Sequence, residues 1–266
     1  MRANELPEVR HLPLFRDMLQ ANFEQLMQGA YAQTFPTGVE LIRQGDPADF
    51  LHIVIAGSVE MYAEWGGRTC TMAVVQPVGS FILAACIRDA PYLMSARTLE
   101  KSRLILVPSS DLRAVFRRDP EFAVSTITEL AGAFRSVARH AKGLKLRTSR
   151  ERVAAYLLKQ SRQAGNVESF VLGVEKRLIA SYLGMTPENL SRTLRQLEGE
   201  GIRVNGQQVT ITDRHRLMAV APPDPLIDGP DGPGAGVGMS LPPPSTASAK
   251  PREKVVSPTG FEPVTH

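Results

Sequence analysis

The sequence predicts an α+β chain in two parts: an N-terminal antiparallel β-domain and a C-terminal winged helix-turn-helix, joined by a long helix. Three observations carry this. Between Tyr31 and Val107, short β-rich runs alternate with turn residues; from Ile127 onward the apolar period changes to steps of three and four; and around Gly184 two short helical patterns meet and are followed by an Asn-Gly hairpin.

Each element follows in order. Residues 5–30 are helical in character, with Met18, Leu19, Phe23, Leu26 and Met27 near helical spacing. The runs "ELIR", "FLHIVI", "SVEMY", "TMAVV" and "RLILV" are then separated by "PTG", "GDPAD", "AGS" and "WGG", which predicts a barrel or sandwich of about eight strands. After "RRDPEF", Ile127, Leu130, Phe134, Val137, Ala141 and Leu144 form an a/d seam, with Thr128, Arg135, Arg139 and Lys142 opposite. Such a stripe can bury itself on its own β-domain or on a symmetric copy of the chain. Beyond Ala221 the Pro/Gly-rich "PPDPLIDGPDGPGAGVGMSLPPPSTASAKP" lacks periodicity, so 221–266 is expected to be a disordered tail. The expected divisions are 1–118, a linking helix 119–146, a C-terminal domain 147–220 and the tail.

Composition narrows the function. The 266 residues, 43% of them hydrophobic, suffice for two modest domains with real cores. No run of about 18 apolar residues occurs, and "MRANELPEVRHLPLF" lacks the pattern of a secretory signal, so no membrane partner is expected and the cytoplasm is the expected location. Cys70 and Cys86 are too far apart for a C-x-x-C metal site. The net charge of +4 is unevenly spread: twelve Lys/Arg against seven Asp/Glu between Arg147 and Arg216 leave the remainder at −1. A basic module beside a near-neutral one suits a polyanionic partner. No P-loop, G-x-S-x-G, H-E-x-x-H or paired-carboxylate turn is found, so an enzyme is not expected and no catalytic residue is assigned.

The stretch "LGMTPENLSRTLRQLEGEGI" carries the sharpest chemistry. "EKRLIASYLG" ends a helix at Gly184; Thr186 is then a candidate N-cap, Pro187 a favoured first-turn residue and Glu188 an acid at the positive end of the helix dipole. Leu190, Leu194 and Leu197 face inward, leaving Asn189 to one side and Glu188, Ser191, Arg192 and Arg195 as an outward stripe. Helix, turn and helix, the "IRVNGQQVTIT" wing and the basic surplus together predict double-stranded DNA as the partner. The rival is a dimeric adaptor that reads no sequence.

At this point the chain, from about Leu12 to Leu217, resembles the Crp/Fnr family of bacterial transcription regulators, through "LIRQGDPADFLHIVIAGSVEMY", with Gly45 and Gly57, and "GMTPENLSRTLRQLEGEGI". The resemblance implies a β-roll (a cyclic-nucleotide-binding-like jelly roll), a dimerisation helix and a winged helix-turn-helix, hence a homodimer through Ile127, Leu130, Phe134, Val137 and Ala141, with RNA polymerase as a further partner. "ENLSR" is similar to the E-x-x-S-R of the Fnr-like branch, carried by Glu188, Ser191 and Arg192, which implies TTGAT-like half-sites in an inverted repeat. The chemistry agrees, since Arg can bond guanine bidentately, Glu can accept from cytosine and Ser can bond either kind of edge. Lys176, Arg177, Arg195 and Arg203 are expected at phosphates.

The resemblance also marks a departure. The family's nucleotide cassette falls on "GSFILAACIRDAPYLMSA", where Ala84 and Met94 replace the expected Glu and Arg, so the clamp for a cyclic phosphate and the acceptor for a ribose hydroxyl are missing. Cyclic AMP is therefore not expected as effector, nor an iron–sulfur cluster, because no cysteine precedes Cys70. An effector pocket would be lined by Phe81, Ile82, Leu83, Ala84, Tyr92, Met94 and Ser95, with Ile87 and Leu93 nearby. Two readings stay open: a filled core in a ligand-independent regulator, or a haem pocket for nitric oxide as in the denitrification-type regulators that "DAPYLMSA" resembles. His11, His52 and Cys86 are the candidate iron donors, and none is assigned.

Overall fold

A computed structural model describes residues 5–229 and 241–245. Three short helices open the chain, α1 (Glu5–Arg10), α2 (Pro13–Arg16) and α3 (Gln20–Gln28), so the predicted helical region is broken twice, at 11–12 and 17–19. Eight strands follow: β1 (Tyr31–Phe35), β2 (Glu40–Ile42), β3 (Phe50–Ala56), β4 (Val59–Trp65), β5 (Arg68–Val75), β6 (Gly79–Phe81), β7 (Ser95–Thr98) and β8 (Ser102–Pro108). They form two four-stranded antiparallel sheets, ordered β1-β8-β3-β6 and β2-β7-β4-β5, with the core between them. Leu51, Ile53, Leu104 and Ile105 are fully buried there.

Two helices in this region are not among those the sequence predicts, although Leu112, Val115 and Phe116 give the second an apolar face at helical spacing. α4 (Leu83–Arg88) interrupts the strands between β6 and β7, and α5 (Ser109–Arg118) leads off β8. Each is short and held by tertiary contact. The long helix α6 (Pro120–Leu146) is capped by Asp119. The Asp119 carboxylate accepts from Phe122 N at 3.1 Å, and also from Leu19 N at 2.9 Å and Asn22 Nδ2 at 2.8 Å. One capping residue thereby ties the N-terminal helices to α6.

Gly57 turns β3 into β4 at φ +83°, and a Cβ there would lie 2.4 Å from Ser102 Oγ and 2.7 Å from the Lys101 carbonyl oxygen. Gly45, at φ +94°, has open space around it. Gly57→Ala is therefore expected to cost about 2–3 kcal/mol, from strain plus overlap, and Gly45→Ala only about 1 kcal/mol. Urea unfolding of the two variants checks this; equal losses would contradict the role of Ser102.

The C-terminal domain begins at α7 (Ser149–Gln163), whose start is closed by a capping box between Thr148 and Glu151. β9 (Ser169–Val171), α8 (Lys176–Tyr182), α9 (Pro187–Glu198), β10 (Ile202–Asn205), β11 (Gln208–Ile211) and α10 (Arg214–Val220) follow. β10 and β11 form the predicted hairpin, to which β9, unmarked in the sequence, adds a third strand.

In the segment expected to be disordered, residues 221–229 and 241–245 are described and are ordered. α11 (Pro225–Asp228) lies on α6, Asp228 makes two 2.6 Å hydrogen bonds to Arg147, and Ser245 bridges to Val171. The apolar contacts of Ile227 and Leu241, too sparse to form a pattern, are what composition did not reveal. The rest of that segment, 230–240 and 246–266, lies outside the described residues. Among the described residues, no helix is long and apolar enough to cross a membrane.

Candidate nucleic-acid interface and effector cassette

The turn between α8 and α9 is set by backbone geometry. Gly184 adopts φ +65° and Met185 N bonds the Ala180 carbonyl at 3.0 Å, which closes α8. Thr186 Oγ1 then accepts from Asn189 N at 3.2 Å and Pro187 occupies the first turn, so α9 starts at once. Leu190, Thr193, Leu194 and Leu197 are buried beneath it.

The opposite face is open. Thr186, Pro187, Glu188, Ser191, Arg192 and Arg195 are exposed and Asn189 is half-buried, so the stripe read from sequence is presented to solvent. Ser191 Oγ donates to the Pro187 carbonyl at 2.9 Å, and Arg195 Nε reaches the Ser191 carbonyl at 3.4 Å. Arg192 has no ion-pair or hydrogen-bond partner among the described residues. Its five guanidinium donors are available to an incoming group. The Glu188 carboxyl is held below the usual range by its own backbone N–H and by Thr186, so it stands as an acceptor at neutral pH. Lys176 is half-buried at the start of α8, with Arg177 and Arg203 exposed to either side of the helix pair.

The β2-β7-β4-β5 sheet and the C-terminal domain meet through residues that sequence patterning did not single out. Ser181 on α8 accepts at Oγ from Thr71 N on β5 at 2.7 Å. Thr71 Oγ1 in turn donates to the buried carboxylate of Glu60 at 2.6 Å, and Glu60 pairs with Arg97 at 2.8 Å. Arg97 also lies over the Tyr62 ring, 4.6 Å from its centroid. A buried Glu inside a strand run such as "SVEMY" was the available signal, because a carboxylate is rarely buried without a partner.

In the cassette, the predicted lining residues differ in exposure. Phe81 and Tyr92 are buried in the β-domain core, Ile82, Leu83 and Met94 are half-buried against it, and Ala84 is exposed on α4. Ser95 is buried but its Oγ accepts from Gln44 N at 3.0 Å. Ile82 takes a left-handed conformation at φ 71° to start α4, and Leu93 is 81% exposed. The nearest guanidinium on β7, Arg97, is committed to Glu60.

The candidate iron donors stand on different elements. His11 is exposed in the turn between α1 and α2, whereas Cys86 is buried on α4, where burial raises its thiol pKa. His52 is buried and stacks on Phe81 with ring centroids 5.0 Å apart, and its Nδ1 has no hydrogen-bond partner among the described residues. Burial lowers its pKa to about 4, against a weaker opposing hydrogen bond from the Phe50 backbone. Between about pH 6.5 and 4 the unfolded chain therefore binds a proton that the folded chain does not, and folding stability falls with pH across that window, by up to about 3 kcal/mol. His52→Leu should flatten this part of the stability curve in urea titrations; an unchanged slope would place its origin elsewhere.

The a/d seam of α6 is divided. Ile127 (60%), Phe134 (74%) and Val137 (44%) are exposed, with Val124 (59%) extending the stripe toward the N-terminus, while Leu130 and Ala141 are half-buried. The helix packs on its own domain through another face, with Phe122, Thr126, Glu129 and Ser136 buried. An apolar stripe of this length left open to water marks an interaction surface.

Comparison with known proteins agrees with this geometry. Residues 32–119 match the cyclic nucleotide-binding domain model and residues 151–220 the Crp-like helix-turn-helix domain model. The nitrogen fixation regulation protein FixK of Azorhizobium caulinodans is 29% identical over 69% of this chain and 76% of its own. The CRP-like cAMP-activated global transcriptional regulator of Mycobacterium tuberculosis is 28% identical over 69% of this chain and 84% of its own. Among solved structures, FixK2 from Bradyrhizobium japonicum superposes with a TM-score of 0.62 at 26% identity, covering 73% of this chain and 98% of that one. These relatives are regulators, not enzymes.

Proposed function

Because this chain belongs to the Crp/Fnr family of DNA-binding transcription regulators, we propose that it acts in the cytoplasm as a homodimer on an inverted repeat of TTGAT-like half-sites. The observation that carries this reading is the exposed stripe of Glu188, Ser191 and Arg192 on a capped, well-anchored α9. Arg192 would read a guanine, Glu188 a cytosine amino group and Ser191 a neighbouring edge, while Lys176, Arg177, Arg195 and Arg203 hold phosphates. Two such helices, related by the symmetry of an α6 pair, would enter major grooves about one helical turn apart. RNA polymerase is the partner that a bound dimer would recruit or obstruct. Selection from random duplex DNA tests this: a palindromic consensus is expected, and recovery of unrelated sequences would favour a dimeric adaptor.

The effector we propose is not a cyclic nucleotide. Exposed Ala84 and half-buried Met94 offer neither a ribose acceptor nor a phosphate clamp, and an anion placed there would lose its hydration without a fixed cation in return. The residues present do not fit haem, since a planar macrocycle would have to displace Phe81 from His52. A regulator whose cassette is filled by its own side chains is the better-supported reading. Calorimetry at millimolar cyclic AMP is expected to show no saturable heat, and the purified chain to gain no Soret band on addition of haem. Saturable cyclic-AMP binding that strengthens operator affinity would overturn the first expectation, and a stoichiometric Soret band abolished by His52→Leu the second.

A further inference from the structure

We propose that the partly open cavity lined by α6, α7 and the tail helix α11 binds a small oxyanion that also carries a hydroxyl group, of the 2-hydroxycarboxylate or phosphate kind. The cavity has a volume of about 100 Å³ and lies at the junction of the long helix and the DNA-binding domain. A cavity of about 150 Å³ in another protein admits benzene, so this one fits about four to six non-hydrogen atoms.

Two buried polar atoms in its wall lack partners among the described residues: Tyr156 Oη and Gln160 Oε1. They stand one turn apart on α7 and therefore share a face. Gln160 Nε2 already donates to Gln163 Oε1 at 3.1 Å, which leaves Oε1 as an acceptor in need of a donor. Tyr156 is held protonated by burial, so its hydroxyl is a donor in need of an acceptor. A buried polar group without a partner costs about 1–3 kcal/mol. Neither atom earns its place as packing.

The charge of the wall selects the ligand. Among the described residues, Arg139, Arg147, Arg152 and Lys159 line the cavity with one carboxylate, Asp228, which is engaged bidentately by Arg147. His140 stacks on Tyr182 at 4.4 Å and adds no charge at neutral pH, since burial and then Lys159 and Arg152 lower its pKa to about 4. An oxyanion can thus accept from Tyr156 in a positive field while its hydroxyl donates to Gln160. The domain model ends at residue 220, whereas Ile227, Asp228 and Leu241 form part of the wall, so the site includes chain beyond the shared domain. A ligand there contacts the long helix and the DNA-binding domain together, and it favours whichever arrangement of the two it binds more tightly.

Calorimetry of the full chain, with lactate and inorganic phosphate titrated separately, tests the site and distinguishes the two oxyanions. Saturable binding of one or both is expected, with acetate (no hydroxyl) and glycerol (no charge) at least about tenfold weaker. Tyr156→Phe and Gln160→Leu should each weaken binding by about tenfold or more while melting at or above the parent temperature, because each removes an unsatisfied group. No saturable heat up to roughly 20 mM of either oxyanion, or unchanged affinity in both variants, would overturn the proposal. So would a clear drop in melting temperature in both variants, which would assign the two atoms to structural water.

Discussion

Phe134→Glu is expected to break the proposed α6-paired dimer and leave the chain monomeric at micromolar concentration. Phe134 is 74% exposed within one chain, so the substitution disturbs no intrachain packing, and helix content by circular dichroism should be unchanged. In a symmetric pair the glutamate enters the apolar seam twice, and each unpaired charge taken out of water costs several kcal/mol, on the order of 3–5. The dimer dissociation constant should therefore rise by well over a hundredfold, and operator affinity should fall with it, because each half-site then binds without its symmetry mate. Sedimentation at micromolar concentration decides the matter. An intact dimer in this variant would mean that the stripe from Val124 to Val137 is not the contact between copies.

Arg192→Ala is expected to produce the largest change in sequence preference of any single substitution in α9. Its guanidinium is exposed and has no partner among the described residues, so little is lost on truncation except what it does with DNA. A bidentate contact to guanine contributes about 1–3 kcal/mol of discrimination, or roughly ten- to more than hundredfold. The consensus should relax at one position per half-site while non-specific affinity changes little. Arg177→Ala should behave differently, weakening specific and random duplexes alike and lowering the salt slope by about one. Equal losses on both duplexes for Arg192→Ala would move it to the phosphate class.

What was legible in the sequence is what local chemistry controls. The winged helix-turn-helix could be read because Gly184, Thr186, Pro187 and the Asn205-Gly206 turn each impose a backbone conformation within three or four residues, and the leucines beneath α9 repeat at its period. The eight-strand β-domain was legible for the same reason. Tertiary structure alone decided the features that depend on distant segments. α4 and α5 exist because the β-domain surface buries one side of each, and β9 because β11 offers it an edge. The cassette residues, adjacent in sequence, take buried, half-buried and exposed positions around α4, which closeness along the chain does not specify. Conversely, Tyr156 and Gln160 gained a shared cavity only when a tail without periodicity returned to α6 through Asp228 and Arg147. Patterns of period two or 3.6 report which face of an element is apolar. They do not say what will cover it, because that partner lies elsewhere along the chain and is chosen by the fold as a whole.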